Sequence, residues 1–135
     1  MTSDKIDLSS GPGYRPVEEL LAHLHFGRSF LAGPHKDDDV LQMRWYADDD
    51  GRLLGKVWWG QGAQGPPGHA HGGSMAAVLD EALGSVCWVA GHPVVAAELN
   101  TTFCALLPLG RTYTVEAWID RVDGRKIYPS GHIRD

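Results

Sequence analysis

The sequence predicts an α+β fold in which one long helix packs against an antiparallel sheet. Apolar residues in 75–90 recur at the spacing of a helix with one buried face. Shorter runs before and after this stretch alternate apolar and polar residues, as half-buried strands do. The predicted order is two strands, the long helix and three more strands, and 135 residues suffice for one domain with a single core.

The chain before residue 40 is predicted to be a tail that contains one short helix. Residues 1–13 are polar and rich in glycine, and apolar residues at helical spacing in 17–26 predict a short amphipathic helix. The charged run at 36–39 is expected to be a solvated loop. We therefore expect residues 1–39 to form an N-terminal tail and residues 40–135 to form the domain.

The first two strands of the domain are predicted at 40–46 and 53–59. The first alternates apolar and polar side chains, and an Asp-rich turn ending at Gly51 joins it to the second. The aromatic residues of this hairpin either line a ligand pocket or belong to the core, and their strand positions favour the core: Trp45, Tyr46, Trp58 and Trp59. A proline-containing loop at 60–68 then leads to the helix.

Three strands are predicted after the helix, which Gly91 and Pro93 should end. They cover residues 94–103, 112–120 and 125–133. Pro129 lies within the last of them, so it must occupy a position that donates no hydrogen bond to the neighbouring strand.

The start of the long helix is predicted to bind an oxygen that gains negative charge. The first N–H groups of a helix lack partners within it and lie at the positive end of its dipole. Gly72 and Gly73 follow His71 at this point, so we expect two bare backbone donors that a ligand can approach closely.

Asp80 is the predicted catalytic acid on the same helix. At about 100° per residue it lies off the apolar stripe. It shares its strip with small residues only: Gly73, Ala76, Ala77 and Gly84. Asp80 is therefore expected at the floor of a groove that a ligand or another chain can enter. Glu81 lies equally far off the stripe on the other side, beside Trp88, and is the second candidate.

The spacing of these residues resembles that of a known family. His71-Gly72-Gly73 is followed after six residues by an Asp-Glu-Ala-Leu-Gly run that begins at Asp80, and Gly65-Pro66-Pro67-Gly68 precedes it. This pattern resembles the motif of hotdog-fold acyl-CoA thioesterases of the phenylacetate-pathway and mammalian thioesterase-superfamily type, which are 4-hydroxybenzoyl-CoA thioesterase-like. Residues 97–100, 108–110 and 124–128 resemble the same family in the same order.

The resemblance implies an architecture and a reaction. Hotdog proteins wrap a curved antiparallel sheet around one long central helix, and two subunits pair so that each active site lies between them. The implied protein is a homodimer or a dimer of dimers, a homotetramer, that hydrolyses an acyl-CoA without a cofactor. An acyl carrier protein is the alternative thioester donor.

The resemblance also implies a role for each site residue. The Gly72 N–H holds the thioester oxygen, and Asp80 of the partner subunit acts as general base or nucleophile. His71 either hydrogen-bonds near the thioester or braces the loop. The implied substrate-binding residues are Gly73, Thr102, Arg125 and Lys126.

The chain departs from the family pattern in two places. Ala96 stands where members commonly carry Ser or Thr, a hydroxyl that helps to position water. The family also completes its sheet with one further strand after the one that begins near Arg125, so we expect the last strand to be short or missing. Both departures favour the alternative of a non-catalytic hotdog module that binds acyl thioesters.

Other functions fit the sequence less well. A net charge of −5 argues against nucleic-acid binding, and the absence of a membrane span or signal peptide predicts a cytoplasmic protein. His69, His71, Cys87 and His92 do not supply a convincing metal site. A hotdog dehydratase or hydratase would need a different arrangement of histidine and acid from the one that links His71 to Asp80.

Overall fold

An antiparallel sheet of five strands and one long helix form the body of the protein, as a computed structural model that describes residues 6–24, 30–31 and 39–135 shows. The elements are β1 (Arg15–Pro16), α1 (Glu18–Leu24), β2 (Leu41–Ala47), β3 (Leu53–Trp59), α2 (Gly72–Val89), β4 (Thr112–Asp123) and β5 (Lys126–Arg134). The strands lie in the order in which they occur in the chain, and all neighbours are antiparallel. The predicted fold class is confirmed.

The core lies between α2 and one face of the sheet. Side chains at helical spacing on α2 are buried there: Met75, Val78, Ala82 and Val86. Alternate residues of β3 and β4 face them: Val57, Trp59, Tyr113, Val115 and Ala117. The apolar side chains at helical spacing on α2 thus face the apolar side chains that alternate along the strands, as the sequence predicts.

The aromatic residues of the first hairpin divide between the two faces of the sheet. Trp45 and Trp59 are only 3% and 0% exposed and belong to the core. A side chain on Gly55, which pairs with Trp45 across the two strands, would collide with the indole ring, so glycine is needed at this position. Tyr46 and Trp58 alternate with these residues and lie on the opposite face.

The N-terminal region packs on the same body. Helix α1 covers 18–24 of the predicted 17–26, and the side chains of Val17 and Leu21 join the core. The backbone of Val17 donates to the carbonyl of Trp45 at 3.0 Å. Of the predicted loop at 36–39, only residue 39 lies within the described residues.

The predicted strand at 94–103 is not formed. This segment follows α2 without regular secondary structure, and no backbone–backbone hydrogen bond joins it to any other described residue. Its alternating side chains are largely exposed, with Val95 92% and Leu99 40% exposed. The prediction of a strand here is wrong, because a strand requires a neighbouring strand, which the described part of this chain does not place beside it.

The final hairpin extends further than predicted. β4 continues to Asp123 and β5 runs to Arg134. Pro129 pairs with Ile119, directly beside a shift of register between Ile119 and Arg121. This irregularity accommodates the missing proline N–H, which agrees with the restriction expected for that position.

An ion pair links β4 to β5 on the face of the sheet away from α2. Nε of Arg134 donates to Oε1 of Glu116 at 2.6 Å, and Nε2 of His132 lies 3.5 Å from the same oxygen. The hydrogen bond from Arg134 is the largest cause of a lowered Glu116 pKa.

Among the residues that the structure describes, none of the helices has the length and hydropathy of a membrane span.

Candidate active site

A tight turn brings the chain to the start of α2. The His69 N–H donates to the carbonyl of Pro66 at 2.9 Å, and Gly68 between them has φ +76°. Proline followed by a glycine with positive φ is the pattern of a type II turn, which explains the Pro-Gly sequence at 67–68. The Gly68 N–H in turn donates to Oε1 of Gln64 at 2.8 Å.

A second segment holds this turn in place. The Ala70 N–H donates to Leu107 at 2.9 Å, and the Leu109 N–H donates to Gly68 at 3.0 Å. The Gly110 N–H donates to the carbonyl of Trp59 at the end of β3, at 2.9 Å. Residues 107–110 thereby connect the sheet to the loop that precedes α2 and fix where the helix begins.

His71 caps the helix with both its side chain and its backbone. Its Nδ1 accepts a hydrogen bond from the Gly73 N–H at 2.9 Å. Its carbonyl accepts from the N–H groups of Ser74 and Met75 at 3.0 and 3.2 Å. Because Nδ1 is an acceptor, the neutral ring carries its proton on Nε2 and can donate it outward.

This cap leaves one bare donor at the helix start. The N–H groups of residues 73–75 are all occupied by His71, whereas no described residue accepts from the Gly72 N–H. The expectation of two bare donors is therefore wrong for Gly73. Glycine is needed at 73 for another reason, since a Cβ there would lie 2.9 Å from the His71 ring.

The ring of Phe103 lies beside the bare donor. Its Cε1 and Cζ atoms are 3.6 and 3.7 Å from the position that a Cβ on Gly72 would take. Outside the helix backbone and the chain neighbours of Gly72, these are the only atoms of the described residues within 4 Å of that position. Phe103 is nevertheless 56% exposed. The motif spacing in the sequence does not assign Phe103 to the site.

Asp80 is exposed on α2, and Glu81 beside it is half-buried. Asp80 lies eight positions after Gly72, so the two residues are about 12 Å apart along the helix axis at 1.5 Å per residue. An aspartate side chain is too short to span that distance. The carboxylate and the bare N–H of one chain therefore cannot both contact one carbonyl group.

The predicted substrate-binding residues are dispersed. Thr102 is exposed on the segment that carries Phe103, next to the helix start. Arg125 and Lys126 are exposed at the β4–β5 turn. That turn follows the far end of β4, whose 12 residues extend about 36 Å at roughly 3.3 Å per residue, whereas Gly110 precedes its near end. Within one chain, the structure does not bring these two cations to Gly72.

The histidines near the site have structural partners, and the cysteines are unpaired thiols. The Nδ1 of His69 lies 2.8 Å from the carbonyl of Pro67, to which it donates. Cys87 is buried, which raises the pKa of its thiol, and Cys104 is exposed. Across the described ranges, no group of three or more His, Cys, Asp or Glu side chains is placed to hold a metal ion.

Comparison with known proteins identifies the class to which this fold and site belong. Residues 67–135, half of the chain, match the sequence profile of the thioesterase superfamily, so the chain belongs to that superfamily. A crystal structure of a thioesterase superfamily protein superposes with a TM-score of 0.67 at 29% identity, covering 87% of this chain and 67% of that one. This similarity confirms the hotdog fold.

The similar curated proteins are acyl-coenzyme A thioesterases. Human acyl-coenzyme A thioesterase THEM5 is 36% identical over 74 residues, 53% of this chain and 30% of that protein. Acyl-coenzyme A thioesterase THEM4 of Bos taurus is 36% identical over 87 residues, 64% of this chain and 35% of that protein. THEM4 of Mus musculus is 26% identical over 117 residues, which are 87% of this chain and 49% of that protein. The chain spans less than half the length of these relatives.

Proposed function

We propose that this chain is an acyl-CoA thioesterase that cleaves a thioester to a free acid and a thiol. The observation that carries the proposal is the single bare N–H of Gly72 at the start of α2, which the His71 cap leaves free to bind an oxygen. A thioester carbonyl becomes an oxyanion when it is attacked. A backbone donor at the positive end of a helix stabilises that charge.

The reaction follows from three groups. Asp80 takes a proton from water as the oxygen of that water bonds to the thioester carbon, and the Gly72 N–H holds the resulting oxyanion. When the oxyanion collapses, the carbon–sulfur bond breaks and the thiolate takes up a proton. That proton is the one that Asp80 took from water, so its transfer to sulfur regenerates the carboxylate. The Nε2–H of His71 stays on the ring, because Nδ1 accepts from Gly73, and it can donate a hydrogen bond to the substrate. The products are a carboxylic acid and coenzyme A.

Two copies of the chain would form each site. Gly72 and Asp80 of one chain are about 12 Å apart along α2, so one of the two must come from a partner. A two-fold axis beside Ala76, midway between them, would bring Gly72 of each copy to the Asp80 of the other. The small side chains of Ala76 and Ala77 would let the two helices approach closely.

The segment at 94–103 offers a surface for that pairing. Within the described part of the chain no strand pairs with its backbone, and its exposed Val95 and Leu99 side chains are apolar. Unpaired backbone of this kind is a template for another strand. We assign it to contact with a second copy, in a homodimer or in a tetramer made of two such dimers.

The remaining assignments concern the thiol half of the substrate and the compartment. Arg125 and Lys126 would bind the phosphates of coenzyme A from the partner subunit, since they lie too far from Gly72 in their own chain. An acyl carrier protein is the alternative donor, and comparing it with free acyl-CoA as substrate distinguishes the two. The two unpaired thiols fit a reducing compartment, which favours the cytoplasm.

The test is thiol release from acetyl-, hexanoyl-, benzoyl- and phenylacetyl-CoA. The wild-type chain should hydrolyse at least one of them. Asp80→Asn preserves size and removes the base, so it should lower kcat by about two to four orders of magnitude. Glu81→Gln is the matched control on the adjacent position and should retain the rate.

Two results would change the assignment. Loss of activity in Glu81→Gln with a normal rate in Asp80→Asn would make Glu81 the catalytic acid. A folded wild-type chain that binds acyl-CoA but releases no thiol from any substrate would be a non-catalytic binding module, the function that Ala96 favours.

A further inference from the structure

The ring of Phe103 occupies a position from which it can contact the substrate. Apart from the chain neighbours of Gly72, it is the only side chain of the described residues within 4 Å of the position that a Gly72 Cβ would take, and over half of its surface is exposed at 56%. The Gly72 nitrogen lies about 2.5 Å from the Cβ position used to measure this contact. The ring is therefore within about 6 Å of the bare N–H.

A bound thioester would meet this ring. If its carbonyl oxygen lies about 2.9 Å from the Gly72 nitrogen, the two groups bonded to the carbonyl carbon lie about 4–5 Å from that nitrogen. Ring atoms within about 6 Å of the same nitrogen are close enough for van der Waals contact with a group at that distance. One of those groups is the first carbon of the acyl chain, and the other is the sulfur of the thiol arm.

The chemistry of the ring favours the acyl side. An exposed aromatic ring gains free energy by covering apolar carbon. The acyl chain is the apolar half of the substrate, whereas the thiol arm of coenzyme A carries amide groups. Four residues after Phe103, the chain at 107–109 is hydrogen-bonded to the turn that precedes α2, which anchors this part of the chain beside the helix start.

We propose that Phe103 is a specificity-determining residue that packs against the acyl chain next to the thioester carbonyl. This inference rests on the proposed thioesterase activity. It predicts that the enzyme prefers thioesters whose acyl chain extends beyond acetyl, since only these have apolar carbon to place on the ring.

The test compares kcat/KM for hexanoyl-CoA and acetyl-CoA. Phe103→Ala should reduce the ratio of these two values about tenfold, the usual effect of losing apolar contact in a pocket. Phe103→Leu should retain most of the ratio because leucine is still large and apolar. Leu106→Ala is the control. Leu106 is similarly exposed, at 59%, and lies three residues after Phe103, but it is outside the contact with Gly72.

The outcomes separate this inference from the proposed function. If the wild-type chain releases thiol and Phe103→Ala lowers kcat/KM equally for both substrates, the ring contacts the thiol arm or supports the segment, and the inference is wrong. An unchanged ratio in a folded Phe103→Ala variant also overturns it. If the wild-type chain hydrolyses no acyl-CoA, the proposed function fails first and this inference fails with it.

Discussion

Replacing Gly72 by proline removes the proposed oxyanion donor and nothing else from the hydrogen bonds of the helix. Gly72 is the first residue of α2, where proline is well tolerated because its missing N–H has no partner within the helix. The residue before a proline must be extended, and His71 already has φ −65° and ψ 132°. We therefore expect Gly72→Pro to fold.

The expected effect is large and confined to turnover. Loss of one oxyanion donor costs about 10²–10³ in kcat, or roughly 2.7–4 kcal/mol of transition-state stabilisation. Gly72→Ala is the matched control because alanine retains the N–H. Its Cβ would lie 3.6 Å from Phe103, an ordinary van der Waals contact, so this variant should also fold.

The assay is steady-state thiol release, with far-UV circular dichroism and urea unfolding to compare the folds. Gly72→Pro should fall to between a hundredth and a thousandth of the Gly72→Ala rate, as orders of magnitude. If both variants are folded and turn over within about threefold of each other, the Gly72 N–H does not stabilise the transition state.

Three further predictions concern His71, Ala96 and Glu116. His71→Ala removes the helix cap and should lower the free energy of unfolding in urea by about 1 kcal/mol, whereas His71→Asn supplies another cap and should not. Slow thiol release in both variants would assign a catalytic role to the Nε2–H. A normal rate in His71→Asn would leave the ring with capping as its only role. If the added hydroxyl positions water, Ala96→Thr should raise turnover about tenfold, which lowers the activation free energy by about 1.4 kcal/mol, with little change in KM. A flat or lower turnover in a folded variant counts against that role. Arg134 lowers the Glu116 pKa below its ordinary 4.5, so this carboxylate stabilises the fold above that pH and loses the contribution as the pH falls through the folded pKa. Urea unfolding of Glu116→Gln should therefore show a weaker loss of stability on acidification than the wild-type chain. Identical pH profiles for the two proteins would contradict this.

Local patterns predicted most of the fold. The period of α2 and the alternation of β2, β3 and β4 each follow from neighbouring residues, and their bounds agree within a few residues. The segment at 94–103 differs because a strand is defined by its partner. Its alternation predicted a strand, but the sequence pattern carries no information about whether another strand lies beside it.

The site was predicted in part. The helix start and the exposure of Asp80 follow from local sequence, but the loss of the Gly73 donor to His71 depends on the rotamer of one ring. Phe103 contacts the helix start from a part of the chain that is far from it in sequence, and a few residues further on backbone hydrogen bonds join 107–109 to 68–70. An aromatic residue at the end of an exposed apolar alternation was the available signal, and that signal does not specify which surface the ring contacts.

The central claim is that Gly72 of one chain and Asp80 of another form one site. Co-expressing Gly72→Pro and Asp80→Asn chains with different tags tests it directly. Each mixed dimer has one site with both groups intact and one site with neither. With random pairing, half of the dimers are mixed, so the equimolar preparation should recover about a quarter of wild-type activity. Activity no higher than the mean of the two separate variants, in a preparation shown by tandem tag purification to contain mixed dimers, would contradict the shared site.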